Sequence, residues 1–106
     1  MMGGLKRSHA DEIAFSLGDR TAVERFHNAR RLLQQHLVVK REIPNGKDFL
    51  FTGPREQLQQ ALKDLVEIEH RASRFLLFDY APVEDYFLLR VIAGSEHQET
   101  IDTYFE

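Results

Sequence analysis

The side chains best suited to chemistry cluster where a helical pattern gives way to a strand pattern: Glu69, His70, Arg71, Ser73 and Arg74. A carboxylate beside an imidazole is the pairing used in general acid–base work, and Glu69 also suits a hard cation. Neighbouring residues diverge by about 100° on a helix, so Glu69 and His70 do not converge by default. His70 and Arg71 also stand where cations complement the negative end of a helix dipole. That ordinary helix-end role competes with the catalytic one. If the cluster lines a pocket, Glu69, His70 and Ser73 supply its polar groups, with Phe75, Phe78 and Tyr86 as walls.

Other chemistries have less support. His9, His27, His36, His70 and His97 show neither the i, i+4 nor the H-x-H spacing of a metal site. Ser16 and Ser73 lack a G-x-S-x-G context, and the glycines form no phosphate loop. The absence of cysteine excludes disulfides, zinc–thiolate sites, iron–sulfur clusters and thiol nucleophiles. No catalytic residue, metal or cofactor is assigned, and the sequence leaves open whether the protein is an enzyme, leaning against it.

With 106 residues, 42% hydrophobic and 29% charged, the chain suits one ordinary globular domain. The net charge of −3 speaks against unselective nucleic-acid binding. Residues 1–47 carry nine basic and five acidic side chains, whereas 48–106 carry five and twelve. A dipolar surface would favour self-association, unless the two halves interleave in the fold. Arg25, Arg30, Arg31, Lys40 and Arg41 could line one basic surface, with Phe49 and Phe51 as stacking aromatics, but no RNP-like motif surrounds them. No apolar run is long enough to span a membrane. Lys6 and Arg7 precede no apolar stretch, so the expected location is the cytoplasm.

Several elements must position these groups. Residues 1–10 read as a mobile tail and 11–106 as the domain. Ile13, Phe15 and Leu17 alternate like a strand. Thr21-Ala22-Val23-Glu24 has capping-box spacing, followed by an amphipathic helix burying Ala22, Phe26, Ala29, Leu33 and Leu37. Asn45-Gly46 between two strand-like runs predicts a type I′ hairpin. Gly53-Pro54 opens a helix whose buried stripe is Leu58, Ala61, Leu62, Leu65, Ile68 and Ala72. Strands at 74–80 and 86–92 follow. A second capping box, Ser95 to Gln98, opens a short helix burying Ile101, Tyr104 and Phe105.

The predicted order is β-α-ββ-α-ββ-α, an α+β domain with helices on one face of an antiparallel sheet, ferredoxin-like or a duplicated αββ variant. Both faces of the second hairpin are apolar: Phe75, Leu77, Phe87, Leu89 and Val91 on one, Leu76, Phe78, Tyr80, Tyr86, Leu88 and Ile92 on the other. Helices cover only one. A homodimer burying the second, through Leu76, Tyr80, Leu88 and Ile92, is the simplest expectation.

The stretch Ile68 to Phe78, IEHRASRFLLF, resembles a family of small, uncharacterised bacterial proteins whose segment reads roughly Leu-Glu-Arg-x-Cys-Cys-x-Phe-Leu-x-Phe. Glu69, Phe75, Leu76 and Phe78 match as they stand. Ile13 to Leu17 is similar to the family's opening strand, and Ile92 to Glu96 to its closing Leu-Thr-Gly-Pro-Glu, with Phe105 as the terminal Phe. Some members accompany heavy-metal resistance genes, and the resemblance implies a soft-metal or redox step at the cysteines. Here Ala72 and Ser73 replace the Cys pair and Phe15 the third cysteine, so thiol chemistry does not carry over.

The leading expectation is thus a non-enzymatic homodimeric α+β domain that binds a small ligand or a protein partner. A ferredoxin-like dimeric enzyme or sensor with a pocket near Glu69, His70 and Ser73 is the alternative, and weak nucleic-acid binding by the basic first helix comes third.

Overall fold

The structure, a computed structural model, describes residues 9–105, the side chain of Phe15 excepted. Most of the expected tail, residues 1–8, lies outside them. His9 and Ala10, read with the tail, open a helix. It is α1 (His9–Leu17), where the sequence predicted a strand. Ile13 is buried, and Ala10 and Leu17 pack beside it against the core. Their spacing of three and four residues is helical, so Ile13 and Leu17 satisfy both periods, and packing decides for the helix.

Gly18, at φ +65°, turns the chain toward α2 (Arg20–His36). Asp19 caps α2, its carboxylate accepting from the Thr21 amide at 3.0 Å. The cap therefore precedes the predicted Thr21 box by two positions. The buried face is Ala22, Phe26, Ala29 and Leu33, as the periodicity requires, while Leu37 begins a strand. Strands β1 (Leu37–Ile43) and β2 (Gly46–Phe51) form the first hairpin. Its central residues are Pro44 and Asn45, not Asn45 and Gly46, with Asn45 at φ +61°. Proline first and positive φ second is the type II pattern. Gly46 instead opens β2, paired with Ile43 on one side and Ile92 on the other.

Helix α3 (Arg55–Ala72) buries the predicted stripe from Leu58 to Ile68, together with Val66 and Glu69. Strands β3 (Leu76–Val83) and β4 (Tyr86–Ala93) form the second hairpin around Glu84, at φ +56°. A 3₁₀ turn, Ser95–His97, leads into α4 (Gln98–Asp102). Gly94 precedes that turn and no side chain caps it, so the second capping box does not form.

The fold is α+β, with one sheet of order β1-β2-β4-β3 and every neighbouring pair antiparallel. The order from α2 onward is that of two consecutive αββ units. Their second strands meet at the centre and their first strands form the edges. Phe49, Phe51, Leu76, Phe78, Phe87, Leu89 and Val91 face the helices and build the core with Phe26, Leu33, Leu58, Leu62, Leu65 and the terminal Ile101, Tyr104 and Phe105. No helix among the described residues is long and apolar enough to cross a membrane.

Candidate functional site

Two polar constellations stand out, one buried at the end of α3 and one on the sheet face away from the helices.

The first centres on Glu69, fully buried on the core side of α3. The His9 imidazole Nε2 lies 2.9 Å and 3.0 Å from its two carboxylate oxygens. The Ser73 hydroxyl donates to Glu69 Oε1 at 2.7 Å. The Tyr104 hydroxyl donates to Oε2. A buried carboxylate with three donors is satisfied, which is the condition for keeping it in a core. Burial, and then the neighbouring Glu69 carboxylate, push the Tyr104 hydroxyl well above its ordinary ionisation range, so it remains a donor. Tyr104 is anchored from the other side by Arg30, whose Nη2 donates to the Tyr104 carbonyl at 2.6 Å while the guanidinium packs on its ring.

Serine, histidine and glutamate are the residue types of a nucleophilic triad, but the geometry is not that of one. Catalysis requires one ring nitrogen on the serine and the other on the carboxylate. Here His9 Nε2 faces both, at 3.4 Å from Ser73 Oγ, and the hydroxyl hydrogen already points to Glu69. The arrangement joins α1, α3 and the C-terminal segment.

The other predicted pocket residues disperse. His70 is exposed and donates from Nε2 to the Phe78 carbonyl at 3.3 Å. Phe75 stacks on His97 at the surface, with ring centroids 4.2 Å apart. Phe78 is buried beside Tyr104. Tyr86 lies on the opposite face of the sheet, at the far end of β4 from Ala93 and its partner Leu76. Glu69 and Ser73 meet, joined by His9 and Tyr104, which the sequence pattern places in a tail and a core, and His70 meets Phe78 separately.

The basic surface also disperses. Arg25 pairs with Asp64 at 2.7 Å, Arg30 packs among Phe26, Tyr104 and Phe105, and Arg41 lies on the sheet. Phe49 and Phe51 are buried toward the helices and cannot stack on bases. Among the described residues, no three His, Asp or Glu side chains are placed to share a metal ion.

The second constellation follows from register. In an antiparallel sheet, directly paired residues share a face. Leu77 pairs with Ile92, and Phe78 with Val91. Leu76, Phe78 and Tyr80 therefore lie with Phe87, Leu89 and Val91 toward the helices, and Leu77 lies with Tyr86, Leu88 and Ile92 on the open face. The predicted interface set is thereby split: Leu88 and Ile92 are on the open face, whereas Leu76 and Tyr80 are on the helix face.

Across that open face the residues line up in rows. Arg41, Asp48, Arg90 and Asp79 form one row, paired in turn across the four strands. Val39, Leu50, Leu88 and Ala81 form an apolar row on one side, and Ile43, Gly46, Ile92 and Leu77 form another on the opposite side. Asp48 is only 1% exposed despite its place on this face. Arg90 grips it with two bonds, Nε to Oδ1 at 2.8 Å and Nη2 to Oδ2 at 2.9 Å. Arg41 lies 3.8 Å away. The hydrogen bond from Arg90, then the charges of Arg90 and Arg41, hold the Asp48 carboxyl below its ordinary range against the opposing effect of burial. Leu77 is 66% exposed, and Val39, Val83 and Tyr86 are also exposed on this face.

Compared with protein-family models, curated proteins and solved structures, the chain finds no match.

Proposed function

We propose that this chain is a non-enzymatic assembly domain that functions as a homodimer, its two copies packed through the open faces of their sheets. The observation that carries this reading is the pair of apolar rows flanking the neutralised Arg41–Asp48–Arg90–Asp79 row. Contiguous apolar surface of this kind marks an interaction site, and sheet-on-sheet packing is the usual way to bury it. The bidentate Arg90 fork has already matched the Asp48 charge within one copy. Burial at an interface then leaves the Asp48 carboxylate with its partner in place, which avoids the costly case of an unpaired buried charge.

The Glu69 cluster supports a structural role in this scheme, because its lone pairs are occupied and its serine is buried. Native mass spectrometry of the purified protein tests the proposal. A species of twice 12.4 kDa is expected, together with a monomer for Leu88→Glu, which places a charge in the centre of the face. A wild-type monomer, or a Leu88→Glu dimer, overturns it. Extra mass retained on the dimer would assign the partner role to a small ligand as well.

A further inference from the structure

The order of charges on the open face selects one way for two copies to meet. We infer that they pack about a two-fold axis running parallel to the strands between β2 and β4, so that Arg41 of each copy lies over Asp79 of the partner subunit. This inference rests on the homodimer reading above and specifies its geometry.

A face-to-face two-fold contact has its axis in the plane between the sheets. An axis parallel to the strands reverses each row. The charge row reads plus, minus, plus, minus from Arg41 to Asp79, and its reversal reads minus, plus, minus, plus. Every charge then faces its opposite: Arg41 meets Asp79 of the partner subunit, and Asp48 meets Arg90. An axis parallel to the row leaves the order unreversed and sets Arg41 on Arg41 and Asp79 on Asp79. Like charges facing each other at a closing interface are strongly disfavoured.

Side-chain volume is compatible with this axis. Reversing the first apolar row sets Val39 against Ala81 and Leu50 against Leu88. Reversing the second sets Ile43 against Leu77 and Gly46 against Ile92. Ala81, small and exposed, thus receives Val39 of the partner subunit. The axis parallel to the row sets the first apolar row on the second, with Gly46 against Leu50 and Ala81 against Leu77, so the choice between the two axes rests on the charges. The mean strand directions stay within the roughly 30° that sheet twist imposes.

Charge reversal at the exposed ends of the row provides the test, read as the dimer dissociation constant by analytical ultracentrifugation, with circular dichroism confirming that each variant is folded. Arg41→Asp and Asp79→Arg alone should each weaken the dimer about tenfold, since each turns two symmetry-related attractions into repulsions. The double variant Arg41→Asp/Asp79→Arg should recover most of that affinity. Single variants that dimerise like wild type, or a double variant no better than the singles, overturn this axis while Leu88→Glu monomers leave the homodimer reading intact. A Leu88→Glu dimer removes both.

Discussion

The imidazole of His9 lies within 3.0 Å of both carboxylate oxygens of Glu69, 60 positions away in sequence. Apart from that imidazole, the donors Glu69 receives are two neutral hydroxyls, from Ser73 and Tyr104. His9 thereby fastens α1, the element furthest from the sheet in chain order, to the C-terminal end of α3. Removing one partner of a buried charged hydrogen bond costs more than the net value of the bond, because the other partner stays desolvated.

His9→Ala should therefore destabilise the protein by about 1.5–3 kcal/mol, the range for hydrogen bonds to charged groups. In a Glu69→Gln background the same substitution should cost less than half as much, because no buried charge is left behind. Urea titrations of the four proteins close this cycle. Equal costs in the two backgrounds would show that His9 acts by packing alone, against Phe75 and Tyr104.

How this pair escaped the sequence is physically plain. Nothing local to His9 in a Gly- and Lys-containing stretch signals a carboxylate 60 residues on. Helix stripes, by contrast, were legible because burial on one face writes a period into the chain. Ala22, Phe26, Ala29 and Leu33 are buried as their spacing demands. At α1 the same logic failed, since Ile13 and Leu17 fit a period of two as well as a period of 3.6. The face assignment of β3 failed because register is fixed by pairing, and a one-residue difference moves Leu76 and Leu77 to opposite faces. One partial signal is present: Arg90 is the lone charge of the run FLLRVI, and Asp48, beside Lys47 in GKDFLF, is a carboxylate on another strand of the same hairpin-rich chain, a partner that only the register identifies.

The Asp48–Arg90 pair predicts how stability responds to acid. Arg90 holds the Asp48 carboxyl below its unfolded value of 3.8. A depressed folded value means that the unfolded chain binds the proton first as pH falls. The stabilisation is thus complete above the unfolded value and is lost as pH drops through the folded one. Thermal melts between about pH 6 and about pH 2 should show a steeper acid loss for wild type than for Asp48→Asn. Parallel slopes for the two proteins would mean that other carboxylates govern the acid limb.

Tyr104 sets the opposite limit. Its raised folded value means that the native state keeps a proton the unfolded chain releases near the ordinary value of 10.0. Its contribution is complete below that pH and declines as pH rises from there toward the folded value. Ultraviolet titration should show a late ionisation that coincides with alkaline unfolding and disappears in Tyr104→Phe. A wild-type titration superimposable on that of Tyr104→Phe plus one normal tyrosine would refute the buried, donating hydroxyl.

The last prediction contrasts two glycines required for different reasons. At Gly46 a Cβ would stand 2.1 Å from the Val91 carbonyl oxygen and 3.1 Å from the Ile92 Cα. Both are backbone atoms of the neighbouring central strand, so relief requires β2 and β4 to separate where Gly46 pairs with Ile92. At Gly18 the backbone sits at φ +65°, but nothing lies within 4 Å of the added carbon. Gly18→Ala therefore meets only the left-handed penalty, about 1–2 kcal/mol. Gly46→Ala meets overpacking against rigid backbone, at least about 3 kcal/mol. Guanidinium titrations rank the two directly, and equal costs would mean that the β2–β4 junction yields more readily than its antiparallel register implies.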